Sequence, residues 1–361
     1  MPESHDPVPV TDWPAFGLAG PDKRERILAE LRRLTRHHRD ACPPYRAIVD
    51  KLGFPTDTLD TLEDVPFLPV RLFKRHRLLS VPDGDVVKTM TSSGTSGQSR
   101  SQIVLDKTTS ALQVKVLSRI MAEVIGPKRL PMLVIDGRAT VADRYRFSAR
   151  TAGILGFSMF GRDVAYALND DMTLNREGTR AFLDKHAGQD ILVFGFTFIV
   201  WRHLIRALEE AGESLPLEGG ILIHGGGWKQ LLAQAVAPDA FRARVAGVTG
   251  MTRVHNYYGM VEQTGSIFME CGEGRLHASA WSEIVIRDPG TFAPLPPGES
   301  GLVQLLSVLP HSYPGHSLLS EDVGHILGRD DCPCGRAGTT LRIEGRLEHA
   351  EIRGCSDTYP P

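Results

Sequence analysis

The chain has 361 residues and a mass of 39.6 kDa, which fits two or three domains or one large α/β unit. Its 41 Lys and Arg residues nearly balance 43 Asp and Glu residues, and the net charge of −2 argues against a general nucleic-acid binder. Five cysteines do not suggest a disulfide scaffold. Because the sequence has neither a membrane-spanning apolar run nor a secretory signal, we expect a cytoplasmic protein without membrane contact.

The N-terminal part of the chain predicts two helices behind an irregular arm, residues 1–20. Apolar residues at helical spacing predict a first helix that Asp22 caps and that ends near Arg39. Two prolines stop this helix, and the residues from Tyr45 to Lys51 predict a second short helix.

Strand and helix patterns then alternate, which predicts a mostly parallel sheet with helices packed on it. Ahead of this sheet, short strands at Val86–Met90 and Ser101–Leu105 predict a glycine-rich hairpin. The predicted sheet strands are Pro131–Asp136, Ile191–Phe196, Gly220–His224 and Arg253–Tyr258. The predicted helices are Thr108–Ile125, Arg176–His186, Ile199–Ala211, Trp228–Ala235 and Pro238–Gly247.

From residue 267 short β segments and turns predict a smaller antiparallel β region. Its predicted strands are Ile267–Cys271, Ser282–Arg287, Gly301–Val308, Val323–Leu327 and Thr340–Glu344. We therefore expect an α/β fold with an N-terminal arm and helices (1–75), an α/β core (76–266), a β-rich subdomain (267–345) and a C-terminal tail (346–361).

A loop rich in glycine and hydroxyl residues, Thr91 to Arg100, joins the two predicted hairpin strands. Its glycines allow close backbone approach, and its hydroxyl and N–H groups suit phosphate oxygens. It is not a Walker A loop, because the Gly-Lys-Ser/Thr element is missing. The alternative is a flexible hairpin without a ligand. The candidate phosphate-binding residues are Thr91, Ser92, Ser93, Gly94, Thr95, Ser96 and Gly97.

This loop resembles the phosphate-binding loop of the acyl-adenylate-forming (ANL) superfamily, whose members make an acyl-AMP from a carboxylic acid and ATP. Further motifs similar to those of the superfamily follow in the same order. They are His224-Gly225-Gly226-Gly227-Trp228, Tyr257-Tyr258-Gly259-Met260-Val261-Glu262-Gln263, Ser320-Glu321-Asp322-Val323-Gly324 and Gly345-Arg346. Their shared order argues against coincidence.

The resemblance implies a role for each motif. The glycine-rich turn would lie along the adenine, Tyr258 would pack on it, Asp322 would hold the ribose hydroxyls, and Glu262 would hold Mg²⁺ beside the ATP phosphates. The residues implied to bind the nucleotide are Gly225, Gly226, Tyr258, Asp322 and Arg342. The residues implied to be catalytic are Thr95, Glu262, Arg346 and, as argued below, Cys355.

Three segments resemble the LuxE-type acyl-protein synthetases more closely, and the adenylating proteins of phenazine pathways look similar. They are Val65 to Lys74, His224 to Lys229 and Ala350 to Asp357. The resemblance covers about residues 25 to 358, and it implies the large N-terminal domain of the superfamily.

The superfamily's full-length ligases continue into a small rotating domain that supplies a catalytic Lys. This chain ends soon after Arg346, so the resemblance implies that the small C-terminal domain is absent and puts ordinary CoA ligation in doubt. The cations that remain to assist adenylation are Arg100, Lys229, Arg342, Arg346 and Arg353.

In acyl-protein synthetases the acyl group passes to a cysteine of the protein itself, near the C-terminus, and Cys355 matches that position. Arg353 nearby would lower the pKa of the thiol and favour the nucleophilic thiolate. The alternative is a tail cysteine without a role.

The remaining cysteines predict a candidate zinc site. Cys271 and His277 are followed by the pair Cys332 and Cys334, which together offer a Cys₃His set for a structural Zn²⁺ ion. The alternative is a group of small buried residues at a turn.

Aromatic residues after the predicted strands indicate where the acid would bind, since open α/β sheets place ligands at strand ends. The candidate pocket residues are Phe196, His224, Trp228 and Tyr257. Core packing is the alternative for each. Such a pocket fits an aryl acid as well as a fatty chain.

The leading hypothesis is ATP-dependent activation of a fatty or aryl acid to acyl-AMP, followed by acyl transfer to a protein thiol or a partner enzyme, such as a carrier or a reductase. One alternative is an acyl-CoA ligase that works without the small domain or with a separate one. The other is a nucleotide-binding protein that has lost catalysis.

Overall fold

The computed structural model describes residues 9–54, 56, 58–91, 101–142 and 149–347. Its helices are α1 Gly20–Ala41, α2 Pro43–Leu52, α3 Leu72–Arg75, α4 Lys107–Ile125, α5 Ala139–Ala142, α6 Ala149–Ser158, α7 Arg176–Lys185, α8 Thr197–Ile199, α9 Arg206–Ala211 and α10 Pro238–Thr249. Its strands are β1 Leu68–Pro69, β2 Val86–Thr91, β3 Gln102–Asp106, β4 Leu130–Gly137, β5 Gly161–Leu168, β6 Ile191–Phe196, β7 Gly220–Gly225, β8 Arg253–Tyr258, β9 Phe268–Glu270, β10 Leu276–His277, β11 Ser282–Arg287, β12 Gly301–Ser307, β13 Ser317–Arg329 and β14 Thr339–Arg346.

The first two helices form where the apolar stripe predicted them, but the predicted cap is wrong. Helix α1 begins at Gly20 with Pro21 in its first turn, and Ala19 is the capping residue. Asp22 therefore lies inside the first turn, where its negative charge still favours the helix N-terminus. Pro43 and Pro44 open α2 directly after α1 ends, as proline fits the first helical turn.

The predicted hairpin is confirmed, since β2 and β3 pair antiparallel as a separate two-stranded sheet. Strand β3 and helices α2 and α3 share a small buried core, which includes Tyr45, Phe73 and Tyr313. The loop that joins the two strands, residues 92–100, lies outside the described residues.

Twelve strands in the described ranges form one continuous sheet in the order β11-β12-β13-β14-β10-β9-β8-β7-β6-β4-β5, with β1 alongside β13. The half from β8 to β5 is parallel, as predicted. Strand β5 and helix α6 were not predicted, because β5 is an edge strand whose middle residues are exposed and carry no continuous apolar run. None of the helices in the described part is long and apolar enough to cross a membrane.

The chain after β6 differs from the predicted regular helix. It begins at Thr197 and runs as α8, a π-helical stretch at Val200–Ile205 and α9. The helix predicted near Trp228–Ala235 is wrong, since these residues form a kinked 3₁₀ stretch at Lys229–Gln234. The kink lies at Leu231, whose φ of −93° and ψ of 23° are not helical.

The predicted antiparallel region is confirmed as strands, and it continues the parallel sheet. Antiparallel pairing of Tyr258 with Phe268 carries the sheet across the predicted boundary at residue 266. Strand β13 is longer than predicted, and β10 was missed. Helix α1 is anchored to this half by a buried ion pair, in which Lys23 Nζ lies 2.6 Å from Glu283 Oε1.

Candidate functional site

A glycine-rich turn lies at the carboxyl edge of the parallel strands. Gly225 ends β7, and Gly226 and Gly227 follow with φ values of +80° and +67°, in the left-handed region that favours glycine. A Cβ on Gly225 would lie 2.6 Å from Cε1 of Tyr257, so a side chain has no room there. The bare backbone therefore comes within reach of a flat ligand such as adenine.

A hydrogen-bonded cluster lies near this turn and joins three strands. The Tyr258 hydroxyl, at the end of β8, donates to Asp322 Oδ2 over 2.6 Å. Arg346 Nε donates to Asp322 Oδ1 over 3.0 Å, and the two residues are direct partners in the β13–β14 pairing. Burial, followed by the negative charge of Asp322, raises the pKa of Tyr258 well above its usual value and keeps it a donor. Each carboxylate oxygen still has lone-pair capacity for a ribose hydroxyl.

Glu262 lies on the 3₁₀ turn Val261–Gln263 and is 7% exposed. Burial raises the pKa of its carboxyl group, while Ser101, Lys74 and Arg346 act in the opposite direction by stabilising the carboxylate. A buried carboxylate is suited to an ATP-bound Mg²⁺, which takes one or two carboxylates together with phosphate oxygens.

The backbone of Glu262 is held by the segment that leads into β13. Tyr313 is fully buried, and its hydroxyl donates to the Glu262 carbonyl over 2.9 Å. The neighbouring Gln263 donates from Nε2 to the carbonyls of Leu305 and Gly315, at 3.0 and 2.9 Å. These bonds fix the turn so that the carboxylate points at a defined position.

Lys74 is the functional candidate that the sequence analysis missed. It lies on α3, at the end of the Val65–Lys74 segment that carries the resemblance to acyl-protein synthetases, and its charge acts on Glu262. The resemblance of that segment is the sequence signal that could have identified Lys74. That its charge acts on Glu262 could not be read from the sequence, because about 190 residues separate the two.

Arg342 does not join this cluster, although it was predicted to bind the nucleotide. Arg342 lies on β14 and pairs with His325 of β13. It is four residues before Arg346, or about 13 Å from it along an extended strand. Its charge acts on Glu344 instead. Several predicted residues lie outside the described residues, namely Ser92, Ser93, Gly94, Thr95, Ser96, Gly97, Arg100, Arg353 and Cys355, and so does the side chain of Lys229. Thr91 ends β2, directly before the undescribed loop.

The predicted acid-pocket residues lie on opposite faces of the sheet. Phe196, Gly225 and Tyr257 are register partners across β6, β7 and β8, so they share one face. Phe157 of α6 packs on this face, with its ring centroid 5.0 Å from that of Tyr257 and 4.5 Å from that of Phe194.

His224 and Trp228 do not share a face of the sheet with Phe196 and Tyr257, and the role of all four residues in binding the acid stays a prediction. His224 precedes Gly225 in β7 and points to the other face, where its ring centroid lies 4.6 Å from that of Phe241. Trp228 packs there on Trp201, with ring centroids 5.1 Å apart. Burial lowers the pKa of His224 to about 3, so its imidazole is neutral. Its Nδ1 lies 2.9 Å from the Thr197 hydroxyl.

The predicted Cys₃His set comes together in space. The ligand atoms of Cys271, His277, Cys332 and Cys334 all lie within 4.8 Å of one another. Cys271 Sγ is 3.8 Å from Cys332 Sγ, and Cys334 Sγ is 3.4 Å from His277 Nε2. Three sulfurs and one imidazole nitrogen at this spacing form a donor set that suits tetrahedral Zn²⁺.

Comparison with known proteins agrees with the sequence motifs. The sequence model of the family "Acyl-protein synthetase, LuxE" matches residues 17–360. A long-chain-fatty-acid–luciferin-component ligase of Vibrio harveyi is 25% identical over 335 residues, 86% of this chain and 81% of the relative. The ligase of the same name from Aliivibrio fischeri is 24% identical over 323 residues, 83% of this chain and 79% of the relative.

Solved structures with the same fold include 2-hydroxyisobutyryl-CoA ligase. Its open conformation with 2-HIB-AMP and CoA has a TM-score of 0.68 and 17% identity, covering 95% of this chain and 80% of that one. Its thioesterification state has a TM-score of 0.69 and 18% identity, covering 94% and 72%. With the family match over nearly the whole chain, the protein belongs to the LuxE acyl-protein synthetase family and is a ligase of the acyl-adenylate-forming type.

Proposed function

We propose that this protein activates a carboxylic acid with ATP and then transfers the acyl group to a protein thiol. The acid's carboxylate oxygen attacks the α-phosphorus of ATP, and the bond to the β-phosphate breaks, which releases pyrophosphate and leaves acyl-AMP. A thiolate then attacks the acyl carbon, and AMP departs. The observation that carries the proposal is the hydrogen-bonded cluster of Tyr258, Asp322 and Arg346, whose Arg346 charge also acts on the buried Glu262.

Each of these groups has a task in the first step. Asp322 accepts from the ribose hydroxyls while Tyr258 and Arg346 fix its orientation. Glu262 is the residue that would hold Mg²⁺, which supplies charge neutralisation at the phosphates. Lys74 and Arg346, whose charges act on Glu262, would stabilise the negative charge that develops on the α-phosphate and on the departing pyrophosphate.

Cys355 is the proposed acyl acceptor. It lies outside the described residues, and the resemblance to acyl-protein synthetases implies its role. Cys42, Cys271 and Cys332 are buried, and Cys334 belongs to the Cys-His cluster together with two of them. A thiol that is buried or held in the Cys-His cluster is hard for an acyl-AMP to reach, which supports Cys355 as the acyl acceptor.

We further propose that the Cys-His cluster binds a structural Zn²⁺ ion. Cys271 and His277 come from β9–β10, and Cys332 and Cys334 come from the turn between β13 and β14. An ion held by all four residues would link these strand ends and leave no ligand position open for chemistry.

The decisive experiment measures pyrophosphate release from ATP with a panel of fatty and aryl acids, followed by the intact mass of the protein. The proposal expects acid-dependent release and an acyl-sized mass gain that hydroxylamine removes. Cys355→Ala should abolish the mass gain and keep the release, whereas the matched tail variant Ser356→Ala should keep both. Release without any mass gain would refute Cys355 as acceptor, and acyl-CoA formation on adding CoA would then favour the CoA-ligase alternative.

A further inference from the structure

The ring of Phe196 fills the space behind the glycine-rich turn. It is 6% exposed and lies between two glycines of different elements. A Cβ on Gly226 would lie 2.6 Å from Phe196 Cδ1, and a Cβ on Gly153 of α6 would lie 3.0 Å from Phe196 Cζ. The ring therefore takes the room that side chains at these two positions would otherwise need.

Further aromatic rings continue this filling away from the turn. Phe194 lies two residues before Phe196 on the same face of β6, with ring centroids 6.1 Å apart. Phe157 stacks on Phe194, and Tyr257 closes the group on the side of β8. Phe157 and Phe194 are buried, so the face is packed with rigid side chains along about one turn of α6, from Gly153 to Phe157.

This face is the one that an activated acid would use. Phe196, Gly225 and Tyr257 stand in one register row that reaches the glycine-rich turn, where the Phe196 ring lies against Gly226. The side chain of Tyr258, the next residue of β8, points to the opposite face. An acid whose carboxylate meets the α-phosphate near the glycine-rich turn would therefore direct its other end along this row toward Phe196.

We propose that Phe196 closes the acid pocket and restricts the substrate to short or flat carboxylic acids, such as short aliphatic or aryl acids. This inference rests on the proposed adenylation, and it sets this chain apart from its relatives, whose names specify long-chain fatty acids. A long alkyl chain meets the edge of the Phe196 ring, whereas a short or planar acid ends before it.

The expected size of the effect follows from how hydrophobic pockets discriminate. One methylene that fits or fails to fit changes kcat/KM by about 10- to 200-fold. Truncating Phe196 removes a whole ring, so several methylenes should become acceptable. We expect Phe196→Ala to shift the ratio of kcat/KM for a longer acid over a shorter acid by at least about 10-fold.

The experiment measures acid-dependent pyrophosphate release for straight-chain acids from acetate to myristate and for benzoate. The wild type should prefer the short acids and benzoate, and Phe196→Ala should move the optimum to longer chains. Phe196→Leu, which keeps more of the core volume, should move it less and serves if Phe196→Ala does not fold. Phe182→Ala, a buried phenylalanine of α7 outside the site, is the matched control and should keep the wild-type profile.

A second substitution, Gly153→Ala, adds a further test of the role of Phe196. The Cβ added by Gly153→Ala collides with the Phe196 ring in the wild type, but in Phe196→Ala this contact is gone and the nearest remaining ring atom, Cζ of Phe194, is at 3.6 Å. Gly153→Ala should therefore change the thermal midpoint more favourably in Phe196→Ala than in the wild type, and it should shift the acid optimum of Phe196→Ala back toward shorter chains.

The outcomes separate the inference from the function on which it rests. If no acid promotes pyrophosphate release, the proposed function fails. If release occurs but the wild type prefers long-chain acids, or if both folded Phe196 variants keep the wild-type profile, adenylation stands and the role of Phe196 is refuted.

Discussion

The buried ion pair between Lys23 and Glu283 offers a test of how the N-terminal helix is held. Their side chains are 2% and 1% exposed, and their charged atoms lie 2.6 Å apart. Lys23 Nζ also donates to the Ala278 carbonyl over 3.1 Å, and Thr339 Oγ1 donates to Glu283 Oε2 over 2.8 Å. Among the described residues Lys23 is the cation paired with this carboxylate, so its loss leaves Glu283 charged and buried beside the Thr339 hydroxyl.

Replacing Lys23 by Met keeps the length of the side chain and removes its charge. Breaking a buried pair from one side typically costs about 3–5 kcal/mol, because the remaining charge is desolvated without a partner. We therefore expect Lys23→Met to lower the free energy of unfolding by about 3–5 kcal/mol. Lys23→Met/Glu283→Gln should recover most of this loss, since it removes the orphaned charge.

Urea unfolding followed by circular dichroism measures these differences, with the m-value as a check that the same surface unfolds. Arg33→Met is the matched control, because Arg33 is an exposed residue of α1 that pairs with Glu30 and should cost less than about 1 kcal/mol. A loss below about 1 kcal/mol for Lys23→Met, or no recovery in the double variant, would refute the view that the buried charge dominates.

Three further predictions concern the site, the acid response and the metal cluster. Lys74→Ala should lower kcat/KM for pyrophosphate release by about 10²- to 10³-fold, as expected when a cation that stabilises the transition state is removed. Arg75→Ala, a change at the exposed neighbouring residue, should stay near wild type, and equal effects of the two substitutions would contradict the role of Lys74. Burial lowers the pKa of His38 well below its usual value and that of His316 to about 3, so the unfolded chain takes up protons first as the pH falls. Stability should hold above about pH 6.5 and fall below it by up to about 1.4 kcal/mol per pH unit for each histidine, and His316→Gln should flatten this dependence of the urea midpoint. The purified protein should contain one equivalent of zinc by elemental analysis, and Cys332→Ser should lose the ion and lower the thermal midpoint; zinc-free protein with an unchanged midpoint would contradict the structural role.

Local signals in the sequence determined most of the helices and strands and the order of the motifs. Strands Ile191–Phe196 and Arg253–Tyr258 match the prediction, and Glu262 and Asp322 were identified from motifs that lie within a few residues. Such elements are readable because apolar runs and turn residues act over short stretches of chain. The edge strand β5 was not predicted, because it buries few residues and its sequence has no continuous apolar run.

Tertiary structure alone decided which distant groups meet. It brought the charge of Lys74 to act on Glu262 and set Arg346 against Asp322, with Arg342 about 13 Å away along the same strand. It also brought four metal-ligand candidates together. It placed His224 and Phe196 on opposite faces of the sheet. The register pairs Phe196 with Gly225, and side chains alternate along β7, so His224 points the other way. Register and packing depend on all strands of the sheet at once, so no short stretch of sequence contains them.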